Sequence, residues 1–281
     1  MTVEGQQLLD GMPDRLYRCT PTRLATWLDC PRRYRFSYLD RPQPSKGAPW
    51  AHNSIGAAVH SALADWYSRP VARRTPDEGR RLVRKRWLSE GFRDPEQSEQ
   101  AARRAVGWVG EYLAGLDPAV EPVGVERTVS ASTRTTVLSG RVDRIDADRS
   151  GLVIVDYKTG RNVPDADDAR SSLALGIYAV AAARTLRRPC SRVELHHLPS
   201  RTRVAVELGP AELAAKVAEA ESIAAGCSQA DEAYRAGDHR DATFPPRPSP
   251  GCSWCDFRRH CPEGQAAAPD REPWSAVTTL P

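Results

Sequence analysis

The residues predict an α/β fold, a mixed sheet flanked by helices and entered through an N-terminal helical elaboration. Two observations lead there. Apolar residues recur at helical spacing up to about residue 116, and the pattern then switches to the two-residue alternation of strands. The strand-like stretches form two groups, roughly 123–157 and 192–208, with an apolar helix between them.

In chain order, Thr22 opens a short helix through Leu28, and a second helical stretch runs from Pro31 to Leu39. The next segment, RPQPSKGAPW (41–50), is rich in Pro and Gly and reads as loop. Asn53–Tyr67 is an amphipathic helix. Pro76–Ser89 and Pro95–Leu116 are two more, with Arg and Glu on their polar faces. Val123–Ser130, Thr135–Ala147 and Leu152–Tyr157 are β-branched strands, broken at Gly140 and at the turn Asp148–Gly151. Helix Ser172–Leu186, strands Arg192–Leu198 and Thr202–Leu208, and a helix from Pro210 complete the pattern. The expected organisation is a flexible N-terminus (1–19), one domain over 20–264 with a helical insertion at about 70–118, and a flexible tail (265–281).

Composition narrows the function classes. At 281 residues and 40% hydrophobic, the chain can bury a real core. No apolar run approaches the roughly 20 residues needed to span a bilayer. The first 20 residues lack a signal-peptide pattern, so a cytoplasmic location is expected. Net charge is only +4, yet 36 of the 40 basic residues are Arg; the lysines are Lys46, Lys85, Lys158 and Lys216. Arg suits bidentate phosphate contacts, and a GC-rich genome would favour the same residue. Arg32, Arg33 and Arg35 form one such cluster, fit for phosphates or for an exposed helix face.

The most informative stretch is LSGRVDRIDADRSGLVIVDYKTG (138–160). If the Asp148–Gly151 turn joins antiparallel strands with Ala147 facing Leu152, then Asp143 falls opposite Asp156, and Lys158 shares their face. Opposed like charges destabilise a sheet, so the facing aspartates need a reason. A divalent cation such as Mg²⁺ or Mn²⁺ supplies one; pairing with Arg141 and Arg144 on an exposed hairpin supplies another. Lys158 favours the cation, because a compact ammonium can approach a phosphate or an attacking water where a guanidinium fits poorly.

Gly140-Arg-Val-Asp143 followed by Asp156-Tyr157-Lys158-Thr-Gly160 resembles the GxxD…DxK core of PD-(D/E)XK nucleases, which have a restriction-endonuclease-like fold. The pattern is most similar to the branch containing the RecB nuclease domain, AddB and the CRISPR-associated adaptation exonucleases. The resemblance implies that Asp143 and Asp156 bind the catalytic metal, with a main-chain carbonyl, such as that of Tyr157, as a further ligand. Lys158 then orients the water, and His60 of HNSIGAAVHSAL completes the site from an upstream helix. The branch's QxxxY motif is matched at Tyr178, with Ala174 where the Gln would stand. Glu126 ranks below these as a candidate.

Seven cysteines, an odd number, argue against a disulfide framework. Cys252, Cys255 and Cys261 form CxxC-x5-C, three thiols in ten residues, and zinc or a [4Fe–4S] cluster would need a fourth ligand. His260 would make it a zinc site; Cys30 is the best-placed cysteine. The same nuclease branch ligates a [4Fe–4S] cluster through one early and three late cysteines, so the resemblance implies Cys30, Cys252, Cys255 and Cys261. It further implies DNA as substrate, single-stranded or with free ends, in repair or recombination. The chain has no P-loop, so a helicase partner would do any unwinding. A non-catalytic DNA-binding or assembly module and a zinc-stabilised interaction domain are the competing readings.

Overall fold

In the computed structural model, which describes residues 16–277, the chain opens with a short strand, β1 (Tyr17–Cys19), and two helices, α1 (Pro21–Asp29) and α2 (Pro31–Tyr38). Each helix begins with Pro, whose absent N–H costs nothing there. In each, the preceding side chain, Thr20 or Cys30, accepts an amide three residues on. Three longer helices follow, α3 (Ala51–Tyr67), α4 (Pro76–Arg86) and α5 (Pro95–Ala114), the last two capped by Thr75 and Asp94. Then come β2 (Gly124–Ser132), β3 (Thr136–Ala147), β4 (Leu152–Lys158), α6 (Ala166–Ser171), α7 (Leu173–Leu186), β5 (Cys190–His197), β6 (Thr202–Glu207), α8 (Pro210–Arg235) and α9 (Pro262–Ala267).

The strands form one mixed sheet in the order β1-β3-β4-β5-β6, with β2 also paired to β3. The β1–β3 and β4–β5 pairs are parallel and the rest antiparallel. Both β2 and β4 pair with β3 at Arg144 and Ile145, so they lie on opposite sides of it. Strand β4, LVIVDYK, is apolar on both faces and is covered on both, as parallel-paired central strands are. Val153, Val155 and Tyr157 pack into the core built by α3, α4 and α5, while Leu152 and Ile154 pack against α7. A third cluster joins β1, α1 and α2 to α8 through Cys19, Leu24, Tyr34, Cys227 and Phe244.

Three expectations are corrected. Strand β3 runs through Gly140 without a break. Residues 17–19, expected to be flexible, add a strand to the sheet. The segment from 265, expected to be tail, ends α9 and then docks: Val277 is fully buried in the α3–α5 core, Trp274 packs beside it, and the Ala51 amide donates to the Pro273 carbonyl. Residues 1–15 and 278–281 lie outside the described residues. Among the described residues no helix is long and apolar enough to cross a membrane.

One buried cation ties the helical layer to the sheet. Arg144 on β3 donates to the hydroxyls of Tyr67 (2.6 Å), Tyr112 (3.1 Å) and Tyr157 (3.2 Å), and pairs with Asp146 at 2.9 Å. Tyr112 in turn bonds His196 Nδ1 at 2.7 Å, and His196 Nε2 meets Glu194 at 2.7 Å. Burial, with a smaller contribution from Arg144, holds His196 below the ordinary imidazole value despite Glu194. Arg144→Ala would leave three hydroxyls and a carboxylate without their cation. We expect denaturant unfolding to show a loss of about 3–5 kcal/mol; a variant as stable as the parent would contradict this role.

Candidate metal centre

The β3–β4 register is the one the turn predicts, with Ile145 facing Ile154 and Ala147 facing Leu152. One step beyond its last pair, Arg144–Val155, Asp143 comes level with Asp156. On the other side of β3, Val125 faces Arg144 and Arg127 faces Val142, so Glu126 also comes level with Asp143. Three carboxylates thus meet in one row across three strands. The ladder opens at this row. Glu126 adopts a left-handed backbone, φ 48°, which few non-glycine residues do. Asp143 Oδ2 accepts the Tyr157 amide at 2.9 Å, which fixes that carboxylate to the neighbouring strand.

Helix α3 brings His60 to the row, with Nδ1 3.2 Å from Asp143 Oδ1. His60, Glu126 and Asp143 each offer a ligand atom, and all three atoms lie within 4.8 Å of one another. The row's third carboxylate stands beside this set. Asp156 Oδ2 pairs with Lys158 Nζ at 2.7 Å, and it is buried without a properly formed hydrogen bond. Burial pushes the Asp156 carboxyl up, with neighbouring Asp143 adding to the shift against the pull of Lys158. Burial also raises Glu126, with Asp143 again contributing. At His60 burial acts downward, but the hydrogen bond and charge of Asp143 outweigh it and the imidazole titrates above its ordinary value.

Carboxylate oxygens with one imidazole are a donor set suited to a divalent ion such as Mg²⁺ or Mn²⁺. The competing arginine pairing is not what forms. Arg141 pairs with Glu126 at 2.8 Å and Arg144 with Asp146, leaving both row aspartates to other partners. Glu126, which sequence reading ranked low, is therefore in the compact set, and Asp156 stands at its edge. The signal for Glu126 was a lone acid in a β-branched strand, but its level with Asp143 depends on the β2–β3 register. Tyr157 contributes its amide to Asp143 and its ring to the Arg144 network.

Tyr178 on α7 lies against Gly140, and this contact explains the glycine. A Cβ built there would sit 2.4 Å from Tyr178 Cε1. Burial raises the Tyr178 phenol to about 12, with the charges of Asp156 and Asp143 adding, so it stays protonated. Ala174, one turn earlier, lines a cavity that also borders Asp156 and Lys158.

The four candidate cluster cysteines come together from the two ends of the described chain. Cys30, Cys252, Cys255 and Cys261 line one cavity of ≈ 220 Å³, and none is in a disulfide. Their sulfurs accept N–H groups: Cys30 from the Arg33 and Arg247 amides, Cys252 from the Ser249 amide, and Cys261 from Arg32 Nη1 at 3.4 Å. Gly264 borders the same space, where a Cβ would stand 3.4 Å and 3.5 Å from the sulfurs of Cys261 and Cys252. Among the described residues, no three of these sulfurs lie within 4.8 Å of one another. A single tetrahedral zinc, with Zn–S near roughly 2.3 Å, would hold them closer than that. His260 turns to the Ser45 carbonyl at 2.9 Å.

Of the three arginines near Cys30, Arg32 is buried and bonds Glu263 and Asp241, and Arg35 meets the His239 carbonyl and Asp40. Arg33 is the most exposed of the three, 3.7 Å from Asp29. Arg32 is thus a strut of the cysteine clasp.

Gly140→Ala should destabilise the fold by about 1–3 kcal/mol through the clash with Tyr178. Adding Tyr178→Ala should recover part of that loss in a double-mutant cycle. Simple additivity of the two losses in chemical denaturation would show that the contact does not exist.

The family model of the PD-(D/E)XK nuclease superfamily matches residues 18–262. A solved structure titled "Crystal structure of SSO0001" is similar over 90% of each chain, at 15% sequence identity and a TM-score of 0.40. A search of curated proteins gave no match. With the match spanning the sheet, the carboxylate row and the cysteines, the chain belongs to the PD-(D/E)XK nuclease superfamily, whose members are mostly metal-dependent phosphodiester hydrolases.

Proposed function

We propose that this chain is a Mg²⁺- or Mn²⁺-dependent deoxyribonuclease that hydrolyses single-stranded DNA or DNA ends, an exonuclease serving repair or recombination beside a helicase partner. The observation that carries the reading is the convergence of His60, Glu126 and Asp143 beside the Asp156–Lys158 pair. A bound divalent ion would lower the pKa of a ligated water and offset charge on the phosphate being attacked. His60, Asp143 and Asp156, with Glu126, would hold it, and the Tyr157 carbonyl follows Asp156 on the same strand. Lys158, about half exposed at 48%, orients the attacking water and faces the phosphate. The Tyr157 amide keeps Asp143 in place, and the Arg144 network keeps Tyr157 in place. Tyr178, protonated and against Gly140, borders the substrate's path.

The cysteine cavity supports a [4Fe–4S] cluster held by Cys30, Cys252, Cys255 and Cys261. Its role in this reading is structural. It joins α2 to the segment after α8 and so closes a loop of more than 220 residues.

Two experiments test this. Protein purified without oxygen should cut labelled single-stranded DNA with Mn²⁺ and stop with EDTA. Asp143→Ala and Lys158→Ala should each lower the rate at least about 100-fold while melting like the parent; full activity in either would end the assignment. Independently, the parent should carry iron and sulfide with broad visible absorbance, which Cys30→Ser should lose. A colourless, zinc-loaded parent would refute the cluster.

A further inference from the structure

A cavity of ≈ 420 Å³, separate from the one that His60 and Glu126 line, borders Asp156 and Lys158 together with Arg161, Asn162, Ala174, Leu175 and Leu195. We propose that it is a subsite for one unstacked nucleobase, belonging to the nucleotide that flanks the phosphate being cut. The proposal rests on the nuclease reading above and specifies how that site meets its substrate.

The walls are pre-formed. On one side the Gly160 carbonyl is held by His197 Nε2 at 2.7 Å, and the Lys158 carbonyl accepts the Leu198 amide at 2.9 Å. On the other, Lys216 Nζ holds the Ser171 carbonyl at 2.6 Å, and Asp165 and Asp168 cap α6 reciprocally. Such fixed walls are what a binding pocket needs and a flexible loop lacks.

The lining matches the parts of a nucleotide. Ala174 and Pro164, partly exposed and backed by buried Leu175 and Leu195, give an apolar surface for the face of a base. Arg161 and Asn162 are exposed at the rim and make no hydrogen bond or ion pair with any described residue. An Asn amide offers both a donor and an acceptor to a base edge, and a guanidinium suits the adjoining phosphate. The small side chain of Ala174 keeps the space open. A base can enter only if it leaves its stack, which a single strand allows readily and a duplex resists. The cavity therefore selects unpaired DNA and discriminates among bases at one position.

The test uses the full chain, Mn²⁺ and a pool of single strands of randomised sequence, with the product ends sequenced. The parent should show base bias at one nucleotide next to the cut, and Asn162→Ala should flatten it. Ala174→Leu fills the cavity; it should lower kcat/KM about tenfold with Mn²⁺ affinity unchanged in calorimetry. Cutting without bias, or an Ala174→Leu variant with parental kcat/KM, overturns the subsite and leaves the nuclease standing. A parent that cuts nothing overturns both.

Discussion

Mutual repulsion among three carboxylates is the constraint around which this molecule is arranged. The registers of β2 and β4 on β3 bring Glu126, Asp143 and Asp156 level, and a sheet gains nothing from like charges so placed. The chain answers in three ways. Glu126 leaves the regular ladder through a left-handed backbone, Asp143 is anchored by the Tyr157 amide and His60, and Asp156 takes Lys158 as its counter-ion. What remains is a site in which Asp156 and Glu126 are pushed toward protonation, and a divalent ion would relieve that state.

The helical layer serves this row. Helix α3 presents His60 while burying Ile55, Val59 and Leu63 in the core it shares with α4 and α5. Beneath, Arg144 gathers three tyrosines, one of them Tyr157. The residue that steadies the helix–sheet junction is therefore in contact with the residue that anchors Asp143. Packing and site geometry share their supports, and α7 closes the other side by laying Tyr178 on Gly140.

Local pattern made much of this legible. A tight turn between alternating strands set the β3–β4 register, and proline marked the starts of α2, α4 and α5, whereas α1 begins at Pro21 under a Thr20 cap and not at Thr22. The level of Asp143 with Asp156 followed from that register, but the ladder stops one pair short because Asp143 uses its side chain to hold the Tyr157 amide. What escaped reading depends on contacts distant in sequence. Glu126 joins the site through a third strand, β1 exists only because β3 offers an edge, and Val277 is buried only because α3–α5 leave it a place. Short α6 has too few residues for a hydrophobic period, and its capping box is the only local sign. Arg32 looked like a phosphate contact by composition; its partners Asp241 and Glu263 lie more than 200 positions away.

The cysteine cavity repeats the same logic at the periphery, where sulfurs from two distant segments surround a space that protein atoms do not fill. The metal site depends on the carboxylate row. Crystals grown with Mn²⁺ and measured for anomalous scattering test it most directly. A peak is expected between His60, Glu126 and Asp143, within reach of Asp156; a structure at saturating Mn²⁺ with no peak there, and Asp156 still locked to Lys158, would contradict the metal site.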